Sequence, residues 1–247
     1  MDIGVKYLFI RRWESFVPNA PLPIAFFYTD DPGGVSVVPK QEGHACFLAQ
    51  LGGVRKGEPL AFERESLGCS GGKRYLGFSQ ELMPGFEYFL SCGIPGKLEG
   101  ERYKQSPELV REFIRNSPVF TAPARYAVFK RWDTLDETDE PVAVFFDVAP
   151  DVLAALFTLA NYDEPSPHGV IAPFCAGCGA IVGYPYTEAQ SEHPRAVLGM
   201  FDISARPFVR KETLSFAIPM KKFVRMMANM EESFLITDSW QRVKNRL

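Results

Sequence analysis

Apolar and polar positions along this chain fall into two kinds of pattern. Residues 7–13 and 126–132 are rich in aromatic and β-branched side chains and end in charge, which predicts two strands on a pleated surface. Residues 23–28 and 141–146 are nearly all apolar, the pattern of strands covered on both faces. Helical spacing follows. Leu153, Leu156, Phe157 and Ala160 mark one apolar face, with Asp151 placed to cap it. A shorter helix is expected over residues 44–51, ended by Gly52-Gly53. Ser106-Pro107-Glu108 is a helix start, because proline at the first helical position gives up no needed N–H. Phe223, Met227, Met230 and Phe234 form a final stripe with the spacing of a core-facing helix. Between the first strands and helix, Asp31-Pro32-Gly33-Gly34 reads as a surface loop.

These blocks repeat. YLFIRRWESF returns as YAVFKRWDTL, PIAFFY as PVAVFF, CSGGKRYLGF as CAGCGAIVGY, and FLSCG aligns with VLGMF. Ordered similarity of this kind points to duplication. The expected fold is α+β: two β-β-α-β-rich repeats, residues 1–120 and 121–247, related by pseudo-twofold symmetry around mixed sheets and packed as one unit.

Composition narrows the function classes. Hydrophobic residues make up 46% and charged residues 23% of the 247, ordinary for a globular chain. The net charge of −3 argues against a broad nucleic-acid or anionic-membrane surface. A local exception is the basic stretch 206–225, most simply a solvated face. No apolar run approaches the ~20 residues a membrane helix needs, and no secretory leader is expected at the N-terminus. Five cysteines, sparse and odd in number, suggest reduced thiols and a cytoplasmic setting.

The pattern P-[IV]-A-x-F-F, then a cysteine on the first helix, then C-x-G followed by glycine, and a C-terminal G-[CM] segment before Ile-Pro, resembles the uncharacterised ArCR family. The likeness runs from Pro23 to Met230. It implies recurring cysteines at Cys46 and Cys69, and a third at the position held here by Met200 in Leu198-Gly199-Met200-Phe201. It implies no activity.

Candidate chemistry centres on sulfur. Cys69, Ser70, Gly71 and Gly72 offer a turn whose backbone N–H groups could cup a small anionic ligand, with Lys73 and Arg74 to reinforce it. The same turn could equally serve only a sharp strand exit. Cys175-x-x-Cys178 is the one close thiol pair, able to chelate zinc or an iron–sulfur cluster or to cycle as a redox couple. Cys69 and Cys46, with His44 or His168, are the further ligands such a site would need. Taken alone, Cys46 reads as core. Trp13 and Trp132, beside Arg12 and Arg131, would either line a cleft or seal the junction of the repeats. Asp136 to Glu140 reads as a solvated loop. No nucleotide loop, zinc-protease helix or serine elbow is present, and a Cys69–His168 nucleophile pair has nothing to specify it.

The expected function is therefore a small-ligand or metal-thiolate protein with its site between the repeats, and zinc or an iron–sulfur cluster as cofactor. Whether it is an enzyme is left open. Two alternatives stand beside it: a non-catalytic interaction module with buried cysteines, and a nucleotide or nucleic-acid binder using the basic stretch. Membrane and nucleic acid are not expected partners, and a homo-oligomer is compatible with the sequence.

Overall fold

Successive residues of the central strands are buried on opposite faces. In β1 (Ile24–Thr29), Ala25 and Phe27 join one apolar core while Ile24 and Phe26 join another. A strand buried on both sides needs cover on both sides, and the chain supplies it. The computed structural model, which describes residues 1–247, places β1 in one eight-stranded sheet. The remaining strands are β2 (Ser36–Val37), β3 (Leu60–Phe62), β4 (Tyr126–Arg131), β5 (Ala143–Val148), β6 (Val170–Ile171), β7 (Ala196–Gly199) and β8 (Leu214–Pro219). Their spatial order is β2-β3-β4-β1-β5-β8-β7-β6. The outermost pairs, β2 with β3 and β6 with β7, are parallel, and every inner pair is antiparallel. At the centre β1 meets β5 with Ile24 opposite Phe145. The fold is thus α+β with a mixed sheet.

Nine α-helices surround it: α1 (Ile3–Phe16), α2 (Phe47–Arg55), α3 (Ser70–Tyr75), α4 (Phe86–Phe89), α5 (Pro107–Asn116), α6 (Pro150–Ala160), α7 (Tyr184–Ala189), α8 (Met220–Asn229) and α9 (Asp238–Lys244). Helices α1, α6, α8 and α9 bury their apolar faces on one side of the sheet. On the other side lie α2, α3 and a π-helical turn, Gly179–Gly183. None of the helices is long and apolar enough to cross a membrane.

Several local expectations need correction. Residues 7–13 are not a strand but the middle of α1, although their sequence twin, Tyr126–Arg131, is β4. The reason is the position of the large side chains. Lys6, Phe9 and Trp13 fall at helical spacing and are buried, and Asp2 caps the helix by accepting from the Gly4 and Val5 N–H groups. Gly52-Gly53 does not stop α2, which runs on to bring Val54 into the core. The cap of α6 is Ala149 with Pro150 at the first position, so Asp151 falls within the first turn. Its buried stripe is accordingly Val152, Ala155, Leu156 and Leu159, leaving Phe157 exposed. The start at Ser106-Pro107 is as expected, with the Ser106 hydroxyl accepting from the Leu109 N–H.

Trp13 and Trp132 lie in the α1-side core. Phe9 sits between them, its ring centroid 5.6 Å from Trp13 and 5.3 Å from Trp132. Each indole N–H finds a carbonyl, Ala20 for Trp13 and Lys6 for Trp132. Arg12 and Arg131 instead make ion pairs with Glu231 and Asp133.

The 136–140 loop is only partly solvated. Lys130, on the α1 side of β4, is buried and gives its ammonium protons to both oxygens of buried Asp139 and to Asp136. A cleft of about 610 Å³ opens beside them, also lined by Thr29, Asp31 and Glu58. Within the basic stretch, Lys222 and Arg225 pair with Glu164, and Arg206 donates to the Thr213 and Lys211 carbonyls.

Candidate thiol site

Four of the five cysteines lie on segments that meet on the α2 side of the sheet. Cys46 is the residue that caps α2, and Cys69 caps α3. Cys178 precedes the π-helical turn, with Cys175 three residues earlier. Close backbone approaches fix these segments against one another. A Cβ at Gly68, beside Cys69, would lie 2.8 Å from the nitrogen of Ala45, the neighbour of Cys46. A Cβ at Gly177, between the paired thiols, would lie 2.7 Å from Leu48 Cδ1 in α2 and 2.9 Å from Met200 Sδ. Only glycine leaves room for either contact. The Tyr75 ring of α3 packs on Gly179 and Gly183 of the π-helical turn, completing the circuit.

Asp202, in the loop after β7, belongs to the same group. Its Oδ2 accepts from the Gly177 N–H at 3.2 Å, and its Oδ1 accepts from the Ser204 N–H and hydroxyl. Burial dominates the electrostatics of these thiols, and their ionisable neighbours act in the same sense. Burial pushes the Cys178 thiol well up, and potential negative charge on Cys69, Cys175, Cys46 and Asp202 pushes the same way. Cys175 is pushed up to about 12 by burial and then by Asp202. Cys46 is raised by burial and by Cys69 and Asp202, while the Leu48 and Ala49 N–H groups at the start of α2 oppose the rise. Tyr75 is raised by burial and then by Cys175 and Cys178.

The upward shifts keep Cys46, Cys175 and Cys178 in the thiol form, which is a poor nucleophile. Across the whole molecule, no three His, Cys, Asp or Glu side chains already stand at the spacing that one ion requires.

The sequence-derived residues are thus divided. The segments that carry Cys46, Cys69, Cys175 and Cys178 are brought together. Ser70, Gly71, Gly72, Lys73 and Arg74 lie within the short helix α3, which Cys69 precedes. Lys73 and Arg74 stand in its last turn, away from the amide end, and buried Arg74 donates to the Gln80 carbonyl. Cys92 is exposed, as are His44 and His168. Sequence reasoning missed Asp202 altogether, since a single aspartate two residues before a serine signals no more than a turn. It also missed the burial of Asp139, for which the Lys130 to Asp139 spacing gave no strong cue.

Burial and exposure set an order of thiol reactivity. With a maleimide at neutral pH, Cys92 is expected to label first, Cys46 more slowly, and Cys175 and Cys178 last. Peptide mapping by mass spectrometry reads this order, and Cys178 labelling as fast as Cys92 in the folded protein would contradict the buried arrangement.

A family model described as uncharacterised ArCR matches residues 18–229. No curated protein and no solved structure gives a match.

Proposed function

The chain belongs to the uncharacterised ArCR family, and we propose that it is a metal-thiolate protein whose Cys46, Cys69, Cys175 and Cys178 hold a zinc ion or an iron–sulfur cluster. The observation that carries this reading is the close apposition of the three segments that bear these thiols, Gly68 against Ala45 and Gly177 against Leu48. Thiols that repel one another as thiolates lack a positive charge between them. A bound cation supplies that charge and replaces the protons outright. Partly exposed Cys46 and Cys69 have room to turn toward Cys175 and Cys178, whose segment is held in place by the Gly177 contacts. Four sulfur donors match both tetrahedral zinc and a cysteine-ligated cluster.

The test is anaerobic purification followed by metal analysis, then zinc titration of the metal-free protein. The expected result is stoichiometric binding with proton release, and a rise in thermal midpoint equivalent to about 4 kcal/mol at a thousandfold excess over Kd. Replacing Cys175 and Cys178 by serine should abolish both responses. A wild-type protein that carries no zinc or iron and whose melting ignores both would refute the reading.

A second reading, an interaction module, draws on a rim of exposed apolar side chains near the thiols: Phe174, Phe201, Ile203 and Phe208. It requires concentration-dependent self-association that Phe201→Ser and Ile203→Ser weaken, which sedimentation would detect.

We further infer that the sheet arose by duplication, with β1–β4 and β5–β8 as copies about an axis between β1 and β5. Supporting this are the palindromic strand order, the matched parallel pairs at either end, and the match of PIAFFY in β1 to PVAVFF at β5. The join then falls between β4 and β5, later than the sequence division at residue 120. Superposition of the two halves that fails to carry β1 onto β5 together with β3 onto β7 would refute it.

A further inference from the structure

We infer that Met200 supplies a thioether ligand to the thiol site, and that the site therefore favours a soft monovalent ion of the copper(I) or silver(I) class over zinc. The inference rests on the reading of the cysteines as a metal site and goes on to name its ion. Met200 is 2% exposed, and its sulfur lies against Gly177, the residue immediately before Cys178. Its backbone is left-handed, with φ of 71°, a region that side-chain-bearing residues seldom occupy. Only two other non-glycine residues in the chain do so, Asn19 and Arg102. Met200 is otherwise part of the apolar core on the α2 side of the sheet. A strained residue that aims one particular atom is the usual mark of a functional demand.

The chemistry of that atom decides the ion. A thioether is neutral, soft and carries no proton to release. Thioether and thiolate together suit copper(I), whereas structural zinc takes thiolate, imidazole and carboxylate. Coordination number points the same way. Zinc takes four donors, so all four cysteines would have to turn inward together. A monovalent soft ion is satisfied by two or three sulfurs. Cys175 or Cys178, on the segment that carries Gly177, would pair its sulfur with the Met200 thioether, and one thiol proton would leave as the ion binds.

Copper(I), delivered anaerobically and competed against a chromophoric chelator, is the probe, with zinc titrated in parallel. Met200→Leu keeps the side-chain volume. The expected result is a loss of copper(I) affinity by at least about tenfold, the scale on which single contacts around a metal alter binding. Zinc affinity should be unchanged, and Met200→Cys should restore copper(I) binding. In the wild-type protein, labelled at its seven methionine methyls, silver(I) should move one methyl signal strongly. Equal copper(I) affinity in Met200→Leu, or no methyl signal moved by bound silver(I), overturns the role of Met200 while leaving a thiolate site standing. Failure of the wild type to bind copper(I), silver(I) or zinc overturns the underlying reading and this inference together.

Discussion

Replacing Phe9 by alanine is expected to lower the unfolding free energy by about 3–5 kcal/mol, the range for truncating a fully buried aromatic residue. Phe9 is 1% exposed, and its ring lies within 5.0 Å of Phe223 and 5.3 Å of Trp132, centroid to centroid. Truncation leaves a void where α1, α8 and the end of β4 converge. Urea unfolding measures the loss. Tyr7→Ala, on the exposed side of the same helix, should stay within about 0.5 kcal/mol of wild type. If residues 7–13 were a strand, Phe9 and Tyr7 would share one face and respond alike.

That contrast explains why the first block of the sequence misleads. Tyr7–Trp13 and Tyr126–Trp132 carry nearly the same residues, yet one forms a helix and the other is mostly strand. β4 is hydrogen-bonded between β1 and β3, so its neighbours impose extended geometry. The earlier block has no strand beside it, and its Asp2 cap and buried Phe9–Trp13 pair favour the helix. Propensity was nearly equal; tertiary partners decided. By contrast, β1 and β5 were legible, because an uninterrupted apolar run has few ways to be buried. The Ser106-Pro107 start was legible for a local reason, since capping depends on adjacent residues alone.

Removing one partner of the Lys130–Asp139 pair is the second large effect. Side-chain exposures of 8% and 5% place both charges out of water. Asp139→Ala is expected to cost about 3–5 kcal/mol, because it leaves a buried ammonium without its principal counter-charge. The double replacement Lys130→Met with Asp139→Leu should recover most of that loss, since no charge then remains to be desolvated. The pH dependence follows from the same cluster. Asp136 is held down to about 2 by the Thr138 hydroxyl and then by Lys130, from its ordinary 3.8. Its contribution is therefore fully present above pH 3.8 and is lost as pH falls through about 2. Burial lowers the pKa of Lys130, but its bonds to Asp139 and Asp136 prevail and raise it above the ordinary 10.5. That contribution is complete below 10.5 and disappears only at higher pH. Urea midpoints should show acid loss in wild type that Lys130→Met reduces.

The thiol site was half legible. Cysteine spacing singled out Cys175 and Cys178, and the repeat pointed to Cys69 as their counterpart. What composition could not reveal was the set of contacts that bring these segments together. Gly68 lets two backbones touch, and Gly177 leaves room for the Leu48 and Met200 side chains. The anion cup at Cys69 was expected at a tight turn, with Lys73 and Arg74 beside it. A helix through Ser70–Tyr75 moves Lys73 and Arg74 to the far end and commits Arg74 to a carbonyl.

The outermost ladders of the sheet, at β2 and β6, end after two rungs each. A foreign strand seeking to extend the sheet would find almost no free amide row to copy, and long exposed rows are what seed fibrils. The molecule can therefore keep eight strands in one layer without inviting end-to-end polymerisation. Association between copies is left to helices and loops.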